Sequence, residues 1–237
     1  MKLYGMAGKG TGRVGSMVYA VRKGEQVVRE YNPIVANPNT RPQVVQRAKF
    51  KLLSQLSAIV GTTGIHFLTT GGVSQRNIFM KKNMPAVEVA AGASVATIAL
   101  TDIVLTDGVS PAPAANFNRT TKVCTITLGE GYEDVAGAAF VTMYTPELGR
   151  IFGYSQRVAV AANAQSITAN ILVPDALVNR TSVLVWVYRF ADNMTRAKYE
   201  EAVSGASNSQ AALTFDRMVD EGSIIVSQTA TASFSQA

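Results

Sequence analysis

Residues 8–56 read GKGTGRVGSMVYAVRKGEQVVREYNPIVANPNTRPQVVQRAKFKLLSQL. Three signals follow one another in this stretch. A glycine-rich basic arm up to Gly15 cannot form a core alone, so it is expected to be ordered by a partner. Ser16–Val21 and Gln26–Tyr31 are short Val/Tyr-rich runs joined by four residues that include Gly24, which predicts a β-hairpin. Met17, Tyr19 and Val21 alternate with Val18 and Ala20, so neither face is clearly polar. That pattern fits a ribbon covered on both sides, or one added to another molecule's sheet. Asn32-Pro33 and Asn37-Pro38 then stop the strand pattern.

From Thr40 the period changes. Thr40 and Gln43 match a capping box, and Pro42 falls in the first helical turn. Val45, Ala48, Leu52, Leu56 and Ile59 share one face, flanked by Leu53 and Val60, with Arg47, Lys51 and Ser54 opposite. Gly61–Gly72 reads as a loop, and Ser74 as the cap of a second helix from Gln75 to Lys82. Past residue 86 the pattern becomes short β runs between turn signals: Val95–Leu105, Lys122–Leu128, Ala138–Tyr144, Arg150–Val160, Ser166–Leu172 and Val183–Phe190. Six such runs predict an antiparallel β-sandwich of immunoglobulin, fibronectin or jelly-roll type. Arg196–Val203 fits either a strand or a helix, Ser204–Gln210 a polar loop, and Ile224–Phe234 a final edge strand. The expected fold is therefore mainly β with α, with an arm, hairpin and helix region at 1–85 and a sandwich at 86–237.

The net charge of +6 over 237 residues conceals an asymmetry. Residues 1–85 hold 13 Lys/Arg against Glu25 and Glu30, giving +11, while residues 86–237 hold 9 against 14 acids, giving −5. Such a split points to an acidic partner, either nucleic acid or the acidic half of another copy. The candidate contact residues are Lys9, Arg13, Arg22, Lys23, Arg29, Arg41, Arg47, Lys49 and Lys51. They could neutralise phosphates while Tyr4, Tyr19 and Tyr31 stack on bases, and their spacing fits no base-reading module.

No catalytic constellation stands out. Gly10–Gly15 spells G-x-G-x-x-G, but a strand-like run follows it and only nine residues precede it, so the dinucleotide context is missing. His66 is the single histidine and sits between Ile65 and Phe67, which predicts a packed ring rather than a metal ligand. Glu200 and Glu201 are adjacent and make a poor acid/base pair, and Asp216, Asp220 and Glu221 read as a solvated acidic face. Cys124 is the only cysteine and is expected to be a buried, inert thiol. No enzyme activity, cofactor, metal or small-molecule substrate is expected. No stretch approaches 18 apolar residues and no signal-peptide core is evident, so no membrane contact is expected and synthesis is placed in the cytoplasm.

The run from Lys9 to Ala58 resembles an uncharacterised family of Bacteroidetes genomes and of the phages and small viruses of gut Bacteroidetes. The resemblance rests on the basic glycine arm, Val27-Val28-Arg29, the Asn37–Thr40 stop, Gln43 with Arg47-Ala48-Lys49-Phe50, and Arg76-Asn77 with Phe79. It covers about the first 85 residues. It implies a virion structural protein (capsid-associated, decoration or head–tail), made in a bacterial host and partnered by copies of itself and other virion proteins. A sequence-tolerant DNA-binding protein of replication or packaging is the alternative. A carbohydrate-binding sandwich is a third reading, disfavoured by the few aromatic side chains.

Overall fold

A computed structural model describes residues 10–22, 24–34, 39–67, 73–128, 132, 135–147, 150–160 and 164–235. The chain forms two compact units, Met1–Thr40 and Arg41–Ala237. The division falls earlier than the composition change near residue 86, because the helices after Thr40 bury their apolar faces in the core of the second unit.

The described part of the first unit is a three-stranded antiparallel ribbon of β1 (Gly12–Val14), β2 (Met17–Arg22) and β3 (Glu25–Glu30), in that order. The expected hairpin is present, and Gly12–Val14, read from sequence as arm, adds a third strand. Gly15 makes this possible: its φ of +59° turns the chain between β1 and β2, where a side chain would be strained.

The second unit begins with α1 (Arg41–Gly64) and α2 (Gln75–Asn83). Ala48, Leu52, Leu53, Leu56 and Val60 are buried, as the 3.6-residue period requires. The helix runs past the expected loop start, and Gly61, at φ +59° and ψ −169°, kinks its last turn. The Ser74 side chain accepts from Asn77 N–H and caps α2, which buries Phe79.

The remaining elements are β4 (Ala114–Asn118), β5 (Val123–Thr127), β6 (Val135–Glu147), β7 (Arg150–Ala159), β8 (Ser166–Asn170), β9 (Thr181–Phe190), α3 (Arg196–Val203), α4 (Asn208–Asp220), β10 (Ile224–Val226), β11 (Ala230–Thr231) and β12 (Ser233–Ser235). They build one sheet in the order β10-β9-β6-β7, with β11 also on β9, and a second in the order β12-β4-β5-β8. All pairings are antiparallel except β12 on β4. The fold is thus β-rich α+β, and the two sheets face each other across a shared core that includes Phe117, Ile126, Phe140, Val183, Val185 and Val187. The opposite face of the first sheet carries Ala139, Val141, Leu184, Trp186 and Tyr188, which pack with the helices in a second core. β9 reads TSVLVWVYRF because a strand buried on both faces has no polar face to alternate with. In β6 a register shift between Val135 and Gly137 puts Ala136 in one core and Ala138, two residues on, in the other.

Several sequence expectations are corrected. Val95–Leu105 is not a ladder strand; it contains a 3₁₀ turn at Leu100–Asp102. Side chains satisfy the backbone beyond that turn. Buried Asn83 accepts from Val104 N–H and donates to Val104 O, and Thr229 Oγ1 accepts from Leu105 and Thr106 N–H. Ile103 and Leu105 still reach the helical core. Arg196–Val203 resolves as helix, and the polar Ser204–Gln210 run turns into the capped start of α4. Ile224–Phe234 is broken into three short strands that serve both sheets.

Candidate functional site

The nine basic residues singled out in the sequence separate into three environments. Lys9 and Lys23 lie outside the described residues. Arg13, Arg22 and Arg29 belong to the ribbon, and Arg41, Arg47, Lys49 and Lys51 to α1.

Cross-strand register sorts the ribbon into two faces, which sequence alternation alone did not reveal. Gly12 and Val28 flank Tyr19, while Val14 and Glu30 flank Met17. Directly paired residues share a face, so Val14, Met17, Tyr19, Val21 and Val28 form a largely apolar one, with Gln26 and Glu30 at its β3 edge. Tyr19 Oη lies 3.7 Å from Met17 Sδ along it. Arg13 and Arg29 flank Val18, placing them with Arg22, Ala20 and Val27 on the other face. There the Arg13 guanidinium sits 3.6 Å from the centre of the Tyr31 ring, a cation–π contact. Val14, Met17, Val21 and Val28 are 39–49 % exposed, and all six residues of β3 are exposed. The ribbon therefore offers one apolar and one arginine-bearing face.

On α1 the residues diverge. Arg41 is committed internally: its guanidinium donates to the carbonyls of Ala90, at 2.7 Å, and Ala93, anchoring that loop to the start of the helix. Arg47 and Lys51 are exposed and Lys49 is half-buried. Arg76 of α2, outside the candidate set, donates to Ser54 Oγ at 2.6 Å and extends the basic surface. No Asp or Glu occurs in either helix.

A third grouping was not anticipated. His66 is 1 % exposed, with Nδ1 2.7 Å from Asp216 Oδ1 of α4 and Nε2 against the Arg157 guanidinium of β7. Arginine can only donate, so Nε2 accepts and the ring proton resides on Nδ1, close to the carboxylate but off the line of a hydrogen bond. Burial pushes the His66 pKa down to about 4, against the raising effect of Asp216. Burial also lowers that of Arg157, opposed by Tyr199, which hydrogen-bonds it. The Arg157 guanidinium lies 4.1 Å from the centre of Phe215 and 5.8 Å from that of Trp186. Trp186 Nε1 donates to Gly64 O at 3.1 Å. This cluster clasps the end of α1, β7, β9 and α4 together. A ring this enclosed is a packed histidine, as its apolar neighbours indicated. Asp216, read as part of a solvated acidic face, is instead a partner of the core.

Cys124 is fully buried, and burial pushes its thiol up to about 12, which suppresses thiolate chemistry. Among the described residues no group of three or more His, Cys, Asp or Glu is placed to hold a metal ion, and no helix is long and apolar enough to cross a membrane. No known protein family, curated protein or solved structure matches this chain.

Proposed function

We propose that this chain is a non-enzymatic virion structural protein that associates with further copies of itself through its N-terminal ribbon. The observation that carries the reading is the ribbon's largely apolar face, on which Val14, Met17, Val21 and Val28 are exposed beside half-buried Tyr19. A small antiparallel sheet gains little stability without an apolar cover, and contiguous exposed apolar surface marks an interaction site. Charge favours another copy as the partner: the ribbon's opposite, arginine-bearing face complements residues 86–237, which carry −5. The virion setting rests on the resemblance of the first 85 residues.

Light scattering on the full chain tests the association. A discrete multi-copy particle is expected, reduced to monomer by Met17→Lys with Val28→Lys while circular dichroism stays unchanged. A monomeric wild type at all salt concentrations would remove the reading. The arginine face supports a second reading, sequence-tolerant nucleic-acid binding, with Arg13, Arg22 and Arg29 on phosphates. Its signature is assembly only when DNA is added, reversed by salt.

A further inference from the structure

Beyond the ribbon, the second unit has a surface cavity of about 350 Å³ where α1, the start of β7 and the segment 94–96 meet. Two cations from distant parts of the chain, Lys51 and Arg150, share it. Gln55 and Ser94 add an amide and a hydroxyl, and Leu52 and Ala96 give it an apolar floor. Among the described side chains that line it none is acidic, and Arg150 stands opposite Glu147 in the register of β6 and β7. Two cations around one concavity raise its positive potential and draw an anion toward it.

The wall is also held in advance. Arg41 fixes the carbonyls of Ala90 and Ala93 immediately before Ser94, and Ala93 N–H closes a turn onto Ala90 O at 3.0 Å. A pre-set wall reduces the ordering that a ligand must impose.

We propose that this cavity binds a phosphate group, free or carried on a nucleic-acid backbone. Arg150 supplies the planar fork that matches two phosphate oxygens, Lys51 a mobile point charge, and Gln55 and Ser94 neutral donors. The site lies outside the ribbon and stands whether or not the ribbon mediates assembly.

The test uses the full chain with two probes: inorganic pyrophosphate by calorimetry, and a fluorescent single-stranded oligonucleotide by anisotropy at low and moderate salt. Arg150→Gln is expected to weaken pyrophosphate binding by about tenfold or more, Lys51→Gln by several-fold, and Arg150→Lys to recover only part of the loss. Arg217→Gln, on exposed α4 surface, serves as the control for net charge and should change neither. Loss of binding to both probes identifies the backbone as a source of the phosphate. Loss for pyrophosphate alone identifies free phosphate. Lys51 and Arg150 are exposed, so the double variant should keep its melting temperature and its mass in solution. Absence of saturable binding to either probe by the wild type, or unchanged affinity in the double variant, would overturn the proposal.

Discussion

β2 and β9 are written in nearly the same alphabet, MVYAVR and TSVLVWVYRF, yet they meet opposite fates. β9 lies between β6 and β10, with Val183, Val185 and Val187 in one core and Leu184, Trp186 and Tyr188 in the other. β2 lies between β1 and β3 in a ribbon whose residues are exposed or half-exposed. A run without polar alternation states that a strand wants cover on both sides. It does not state whether that cover comes from the same chain. For β9 the chain supplies two layers; for β2 the exposed apolar face is the unanswered half of the same demand.

The largest effect should come from removing the cover where it exists. Trp186→Ala takes away a fully buried indole, its hydrogen bond to Gly64 O and its edge contact with His66, 4.9 Å between centroids. A loss of about 3–5 kcal/mol is expected from denaturant unfolding. Tyr19→Ala, the matching aromatic deletion in the ribbon, should cost the monomer less than about 1 kcal/mol and act instead on the mass of the assembly. Equal losses of stability in the two variants would mean that the ribbon's apolar face is already covered within one molecule.

Acid sharpens the contrast, because the body contains a buried titratable ring and the described ribbon has no histidine. The unfolded chain takes up a proton near the ordinary histidine pKa of 6.5, whereas His66 in the folded chain does so only near 4. Between these values the unfolded state binds more protons, so stability is full above pH 6.5 and falls as the pH drops toward 4. The whole window is worth about 3 kcal/mol, at about 1.4 kcal/mol per pH unit. Most of it can be read between pH 6.5 and 5, before ordinary carboxylates titrate. His66→Gln should start less stable at pH 7 and lose the slope. A slope that survives the substitution would assign the acid sensitivity to another group.

Much of the body was legible from the chain. The 3.6-residue period identified α1 and its buried face, Ser74 marked the cap of α2, and alternating or continuous apolar runs located β5, β6, β7, β8 and β9. The failures have separate physical causes. Val95–Leu105 looks like a strand because its apolar residues do enter a core, but its backbone partners are the side chains of Asn83 and Thr229, which strand periodicity cannot register. α4 carried two usable signals, the Ser207–Gln210 capping box and the Phe215, Met218, Val219 spacing, obscured by a polar lead-in. Among the candidate site residues, type and exposure were readable for Arg13, Arg22, Arg29, Arg47 and Lys51. The internal use of Arg41 was not, because it depends on a loop some fifty residues away. Nor was the meeting of Lys51 with Arg150, which requires α1 to lie against β7. The two faces of the ribbon depend on register, and alternation in one strand cannot fix register.

The smallest expected effect probes that register directly. Arg13 stacks on Tyr31 only if β1 and β3 lie on the two sides of β2 in the observed pairing, since the contact spans the ribbon. An exposed cation–π contact is worth about 0.5–1 kcal/mol. Arg13→Ala should therefore speed amide exchange in β1 and β3 by about two- to fivefold, because a local opening free energy converts directly into exchange rate. The body should not respond: amides of β6 and β9 should exchange at the wild-type rate and the unfolding midpoint should stay in place. Arg22→Ala, on the same face but far from Tyr31 along β2, separates the stack from a general effect of lost positive charge. If Arg22→Ala matched Arg13→Ala in β1, the ribbon would be ordered by its net charge, and the pairing that segregates Val14, Met17, Tyr19, Val21 and Val28 onto one face would lose its support.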